Sequence, residues 1–321
     1  MSAGVDQVFE APQGKYLVDP YDNWARAEGV PIHAGAAIDL CRVETRPWGR
    51  FGVGGAICHL DGRADFLTMF VFDLAPGAAS APMRHLYEDM FYGLEGHGVA
   101  EIELAGGATT TIEWGAKTLF SAPMNARVTL RNTSGARARV VSVNDSRYLM
   151  SLYRSERFLF DTPMDFPERA SGQYARACET CAPGPISLAN GSIGADLFEI
   201  PAGRYDRAER QMFGSLLLGV SGHGMTLSWE DDPAQAVKHV WGHGVAYAPA
   251  GLMFHQRFNL GAEPARYLRV ELGGPAAPMF RPRRRAYGDT SVYAAGAATI
   301  EVADQNPVIE TMWRDEMARR I

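Results

Sequence analysis

The chain has 321 residues, 46% hydrophobic and 21% charged, which is material for about two packed domains and rules out a disordered polymer. Its 31 Lys and Arg against 37 Asp and Glu leave a formal net charge of -6, which argues against a general nucleic-acid binder, and no nucleic-acid partner is expected. No run of 18 apolar residues occurs, so neither a transmembrane helix nor a membrane partner is expected.

In chain order, residues 1–20 interleave Asp6, Glu10, Lys15 and Asp19 among apolar residues and lack the h-region of a signal peptide. The four cysteines, Cys41, Cys58, Cys178 and Cys181, are too few for a disulfide framework, and a cytoplasmic location is expected. Residues 56–60, a turn at Asp61-Gly62 and residues 66–74 read as a hairpin. Residues 99–104 alternate, Gly106-Gly107 makes a turn, and residues 109–114 are rich in β-branched side chains. Residues 225–229 and 245–248 read as later strands, and the 34 Gly and 19 Pro punctuate such short segments as all-β folds require. Cys178 and Cys181 have metal-knuckle or redox spacing, but no second pair answers them, and a loop with two incidental thiols is expected. Helical periodicity is expected only at the end. There Asn306 caps, Pro307 takes the first turn, and Ile309, Met312, Trp313, Met317 and Ile321 form one stripe for a barrel or a partner subunit. Glu310 with Arg314 and Glu316 with Arg320 are spaced to pair along its surface.

The chain repeats itself. Gly77 and Gly203, Arg84 and Arg210, Gly96-His97-Gly98 and Gly222-His223-Gly224, and Pro123 and Pro249 all match at one offset of 126 residues. One residue is then gained, so that Asn132 matches Asn259. Such a repeat implies two copies of one domain, with boundaries expected at 1–165 and 166–321.

Pro76-Gly77, a short charged stretch with His85, and then Tyr92-Gly-Leu-Glu-Gly96-His-Gly98 resemble the first motif of the cupins. Pro249-Ala-Gly251-Leu-Met-Phe-His255-Gln-Arg-Phe-Asn259 is similar to their second motif with one residue inserted. The resemblance spans residues 45–145 and 195–275 and implies a bicupin: all-β, two tandem jelly-roll barrels, here followed by a C-terminal α-helix. Glycines at the ends of such strands are expected to serve turns with positive φ.

A cupin of this kind holds Fe, Mn, Ni or Zn through two His and one Glu of the first motif and one His of the second. Carried over position by position, the first barrel has Met83, His85, Asp89 and Val128, and thioether and isopropyl groups do not hold such an ion. The second barrel has Glu209, Gln211, Ser215 and His255. If a metal (Fe or Mn) is bound, Glu209, Gln211 and His255 are the expected ligands; without one, Glu209 and His255 form an acid and base pair. Burial is then expected to raise the carboxylate pKa and lower that of the imidazole. Gln211, Ser215, Met253 and Arg257, with His85 and Asp89 in the first barrel, are the candidate contacts to a small-molecule ligand. His97 and His223 read as turn residues, His239 and His243 as unsuited to share an ion, and His33 and His59 as outside any motif. Gly52-Val-Gly54-Gly55 fails the spacing of a phosphate loop, and Arg281-Pro-Arg-Arg-Arg285 reads as a solvated basic loop.

Three function classes follow. The first is a small-molecule lyase, isomerase or cyclase working without metal in the second barrel, on a mostly apolar or aromatic substrate. The second is an Fe- or Mn-dependent dioxygenase-like bicupin. The third is a non-catalytic small-molecule-binding bicupin. The apolar face of the last helix leaves room for a homodimer.

Overall fold

The computed structural model describes residues 19–61, 66–104, 106–162, 174–186, 188–189, 191–210, 215–250, 253–272 and 298–319. It begins with α1 (Pro20–Ala27), whose first turn is capped by the Asp19 carboxylate accepting from the Tyr21 N–H at 3.0 Å. Three short strands follow, β1 (Ile32–Gly35), β2 (Ala37–Asp39) and β3 (Arg46–Trp48). The first repeat then runs β4 (Val53–Leu60), β5 (Thr68–Leu74), β6 (Asp89–Glu95), β7 (His97–Glu103), β8 (Thr109–Gly115), β9 (Thr118–Phe120), β10 (Arg127–Asn132) and β11 (Ala138–Asn144). The expected hairpin is β4 against β5, from Gly54 opposite Asp73 to Cys58 opposite Met69, while Phe66 falls in the turn before it.

Two helices, α2 (Ser146–Tyr153) and α3 (Glu156–Asp161), and β12 (Ala175–Ala177) connect the repeats. With α1 they are helices the periodicity reading did not anticipate, because six to eight residues are too few to show a 3.6-residue period. The second repeat comprises β13 (Gly184–Ile186), β14 (Ile193–Ile200), β15 (Ala208–Arg210), β16 (Leu216–Ser221), β17 (Gly224–Trp229), β18 (Val237–Trp241), β19 (Val245–Tyr247), β20 (Phe254–Asn259), β21 (Ala265–Leu272) and β22 (Ala298–Ile300). The last element is α4 (Pro307–Ala318), capped by Asn306 through the Val308 N–H at 3.0 Å.

Each repeat closes a larger sheet over a smaller one as a jelly-roll barrel. The first pairs β1-β4-β5-β11-β6-β9-β12, with β3 on β4, against β10-β7-β8. The second pairs β13-β14-β21-β16-β19-β2 against β18-β17-β20-β15-β22. Two short strands cross between barrels. β2, ahead of the first repeat, pairs with β19 of the second, and β12, beyond residue 165, pairs with β9 of the first.

Period-two alternation sends each strand's residues to two different cores. On the larger sheets, Met69, Val71, Val141 and Val143 of the first barrel join Leu197, Leu216, Leu218 and Val270 of the second in one cluster, so the barrels pack sheet on sheet. The other face of those first-barrel strands puts Phe70, Phe72, Phe91 and Val140 inside the barrel with Tyr21 and Trp24 of α1. The stripe of α4 lies on the outer face of the second barrel's smaller sheet, where Ile309 is buried among Met225, Leu227, Trp229 and Phe258. Glu310 pairs with Arg314 at 2.6 Å as spaced, whereas Glu316 pairs with Lys238 of β18 at 2.5 Å and with Arg319. Ile321 and Arg320 lie outside the described residues.

The register corrects where the repeat gains its residue. Gly98 faces both Trp114 and Asn132, and Gly224 faces both Trp241 and Asn259. The offset is 126 from Gly98 to Gly224 but already 127 from Trp114 to Trp241, so the insertion lies in the hairpin turn, ahead of Pro123. Pro123 and Pro249 are therefore one position out of register. The glycines also divide by role. Gly77 and Gly203 do have positive φ, 72° and 65°. Gly98 and Gly224 do not; a Cβ would lie 2.0 Å from the Arg131 carbonyl oxygen in one and 2.1 Å from the Trp241 ring in the other.

Candidate functional site

The two barrels have the same strands and opposite interiors. Where the first places Met83, Ala100, Ile102, Val128, Leu130 and Phe120, the second places Glu209, Thr226, Ser228, His255, Arg257 and Tyr247. Phe70 and Ser142 likewise give way to Asp196 and Arg269. The first barrel is filled with apolar side chains, and the second is lined with polar and aromatic ones. The interior expected to receive a mostly apolar or aromatic substrate is thus polar as well as aromatic. Repeat arithmetic from the Glu209 and His255 positions could have found Thr226, Ser228 and Tyr247, since residues two apart on a strand share a face.

Glu209 and His255 are direct cross-strand partners on β15 and β20, and His255 Nε2 lies 3.4 Å from Glu209 Oε1. Arg257, two residues along β20, points the same way; its Nη2 donates to Glu209 Oε1 and its Nε to Asp206 Oδ2 at 3.4 Å. Its guanidinium sits 5.2 Å from the Tyr267 ring, and Tyr267 in turn donates its hydroxyl to Asp206 at 3.3 Å. The side chains of His255 and Arg257 are 5% and 6% exposed, so these charges meet away from water.

That geometry overturns the expected direction for Glu209. Burial does oppose its ionisation, but Arg257 and His255 together hold the carboxyl well below the usual carboxylate range. His255 moves as expected: burial lowers its pKa, Arg257 adds to the effect, and Glu209 only partly offsets it. At neutral pH the pair is an ionised carboxylate and a neutral imidazole, so Glu209 is an acceptor and not an acid.

Ser215 is buried just before β16, and Met253 is half-buried, its carbonyl 3.5 Å from His255 Nδ1. Gln211 lies outside the described residues, as do Gly251 and Leu252 and the basic segment 281–285. In the first barrel His85 Nε2 reaches Asp89 Oδ2 at 2.8 Å, its Nδ1 meets the Tyr87 carbonyl at 2.9 Å, and its ring stacks on Tyr87 with centroids 3.5 Å apart. Met83 and Val128 beside them form a backbone bridge inside the apolar cluster. His85 and Asp89 are thus together but sealed among side chains.

A divalent ion does not fit the described residues of either barrel. The first offers one imidazole and one carboxylate beside Met83 and Val128; the second offers His255 and a Glu209 oxygen already engaged by the Arg257 guanidinium. No three His, Cys, Asp or Glu side chains converge among the described residues. His239 faces Tyr247 in the second barrel, whereas His243 lies between the barrels on the Leu94 and Val220 carbonyls at 2.8 and 3.2 Å. His33 bonds the Glu44 carbonyl at 2.9 Å, His59 bonds the Tyr21 hydroxyl at 3.1 Å, and His97 bonds Thr133 at 3.1 Å. Cys178 is buried and its thiol is pushed up to about 12, chiefly by burial, which leaves it protonated and unreactive.

Between Leu217, Gly219, Trp241, Tyr247, Arg257 and Tyr267 the second barrel keeps a narrow cavity with room for about one water molecule. On the larger sheet of the same barrel, Arg269, cross-strand from Leu217, pairs with Asp196 at 3.1 Å and lies 3.8 Å from Glu271.

No family model and no curated protein matches the sequence. Solved structures do. A deletion mutant of the Bacillus subtilis oxalate decarboxylase matches with a TM-score of 0.50 at 14% identity over 73% of this chain and 76% of that one. The Lactobacillus farciminis oxalate decarboxylase in complex with formate matches with a TM-score of 0.52 at 12% identity over 75% and 86%. Both are bicupins, and at that identity the likeness is one of fold. This chain has the bicupin fold: two tandem cupin barrels and a C-terminal helix. Among the described residues no helix is long and apolar enough to cross a membrane.

Proposed function

We propose that the second barrel is the working half of this bicupin, and that His255 moves a proton there on a small molecule without a metal ion. The buried cluster of Glu209, His255 and Arg257 carries this reading, because the other repeat has only Met83, Val128 and Leu130 in those places. An ionised Glu209 can only accept, so it favours the imidazole tautomer with hydrogen on Nε2 and leaves Nδ1 as the basic atom. When His255 takes a proton, Glu209 stabilises the imidazolium and the Met253 carbonyl, 3.5 Å from Nδ1, accepts the new hydrogen. Arg257 keeps the carboxylate charged throughout. Proton removal and return of this kind suits an isomerase, lyase or cyclase.

Charge narrows the ligand. The two guanidiniums are already engaged, Arg257 by Asp206 and Glu209 and Arg269 by Asp196 and Glu271. A dianion is disfavoured there, and a neutral or cationic molecule with a face for Trp241, Tyr247 and Tyr267 is favoured. Elemental analysis of protein purified without chelator is the test. Manganese and iron should each fall well below one per chain, and added Mn(II) should leave the melting temperature unchanged. Stoichiometric metal would move the reading to a dioxygenase-like site at Glu209, Gln211 and His255.

A cavity with room for about one water molecule leaves little space for a substrate and favours a second reading, a non-catalytic bicupin that takes a small molecule only by opening this barrel. A library ligand that stabilises wild-type and His255→Gln protein equally against heat would select it.

A further inference from the structure

Where the barrels join lies a buried cluster of ionisable groups outside the second barrel. Glu88, just before β6, is 1% exposed and sends its carboxylate to the turn that opens β14. There it accepts from the backbone N–H groups of Gly191 at 2.8 Å, Ser192 at 2.6 Å and Ile193 at 3.2 Å. Three successive N–H groups around one carboxylate form an anion nest, so Glu88 is satisfied as the ionised form. Asp145, the residue before α2, is also buried, but it does not cap that helix. Its Oδ1 accepts from the Glu88 N–H at 2.8 Å and its Oδ2 lies 2.8 Å from Ser192 Oγ. Ser192 Oγ is at the same time 2.7 Å from Glu88 Oε2.

The hydrogens do not suffice for two anions. A serine hydroxyl has one proton to donate, yet Ser192 Oγ sits at hydrogen-bond distance from two carboxylate oxygens. One of the two contacts is a bond only if a carboxyl carries a proton. Glu88 has three N–H donors and Asp145 has one, so the proton belongs on Asp145. We propose that native Asp145 is a carboxylic acid whose Oδ2–H donates to Ser192 Oγ, which donates to Glu88 Oε2, and that losing this proton unlatches the joint between the two barrels.

The surroundings agree. Burial raises the Asp145 pKa to about 7, with the Glu88 charge next and Asp89 also contributing, while the Glu88 N–H and Ser192 only partly offset them. Asp89 itself faces His85 at 2.8 Å, and Arg147 on α2 turns away to Asp19 and Asp22. Among the described residues Asp145 makes no ion pair. Because the folded-state pKa lies above that of an unfolded Asp, the stabilisation is fully present only below about pH 4 and is lost as pH rises from there through about 7. The joint matters to the second barrel because β14, which starts at Ile193, carries Asp196 into its interior.

Asp145→Asn mimics the protonated acid, since its amide can donate to Ser192 and still accept from the Glu88 N–H. Its melting temperature should match wild type below about pH 4, where the wild-type carboxyl is protonated in both folded and unfolded chains, and exceed it by about 5 °C at pH 8. Hydrogen-exchange protection of Gly191, Ser192 and Ile193, corrected for intrinsic rates, should fall at least about tenfold between pH 6 and 8 in wild type only. Equal behaviour of the two proteins across that range overturns the proposal. If the variant does not fold, the wild-type Asp145 carboxyl carbon decides it by NMR: a midpoint near 7 supports the shared proton, and one at or below 4 refutes it.

Discussion

Arg257→Leu is expected to cost about 3–5 kcal/mol of folding stability, the usual penalty for removing one partner of a buried ion pair. Leucine is what the first repeat has at this position, Leu130, so the substitution fits the strand and its inward face. What it removes is the guanidinium, leaving the largely buried Glu209 carboxylate without it, beside the part-exposed Asp206. Chemical denaturation at pH 7 measures the loss. Adding Glu209→Gln should recover much of it, because the second change removes the stranded charge. In the single variant the Glu209 carboxyl should lose its most effective source of ionisation, and the stability deficit should shrink as pH falls and the carboxyl takes up a proton. A deficit that stays constant from pH 8 to pH 4 would count against the ion pair as its cause.

Asn132→Ala should cost about 3 kcal/mol, and Asn259→Ala about as much. Asn132 is 1% exposed, and the two hydrogens of its Nδ2 are shared among three carbonyls, Leu74 and Ala75 at 3.0 Å and Ala136 at 2.7 Å. Its Oδ1 accepts from the Ser134 N–H at 2.8 Å. Asn259 repeats the pattern with the Ile200 and Glu263 carbonyls, both at 2.8 Å, and the Gly261 N–H at 2.7 Å. Alanine strands carbonyls with no water to replace the amide. Asn132→Asp should be no better, since a carboxylate has no hydrogens to give them. Thermal unfolding of the two barrels checks both, and a loss below about 1 kcal/mol at either site would mean the loops find other donors.

This pair also shows what motif reading could reach. The two asparagines were legible as corresponding positions of a repeat, although their work is to tie loops to strands and not to hold an ion. Glu209 and His255 were legible as partners because the motif spacing puts them on adjacent strands. The direction of the Glu209 pKa was not, because it depends on Arg257. In sequence Arg257 is one of 31 basic residues; in the barrel it is the residue whose side chain shares the inward face with His255 and reaches the carboxylate.

The helices show the same limit. The helix Pro307–Ala318 has a cap, a proline in its first turn and a twelve-residue stripe, so local pattern suffices to place it. The helix Pro20–Ala27 has the same kind of cap at Asp19 and Pro20 but only eight residues, and its helicity depends on burying Tyr21 and Trp24 against the first barrel.

Local pattern, then, carried the all-β class, the duplication, the glycine turns and the pair of residues that meet in the second barrel. These follow from periods of two residues and of one repeat length, which are written along the chain. Tertiary packing decided the rest: which barrel keeps a polar interior, that Glu209 stays ionised, that β2 and β12 change barrels, and that Glu88, Asp145 and Ser192 meet at the joint. Each of these is a contact between residues far apart in sequence, and the sign of an electrostatic effect is set by whichever charge arrives there.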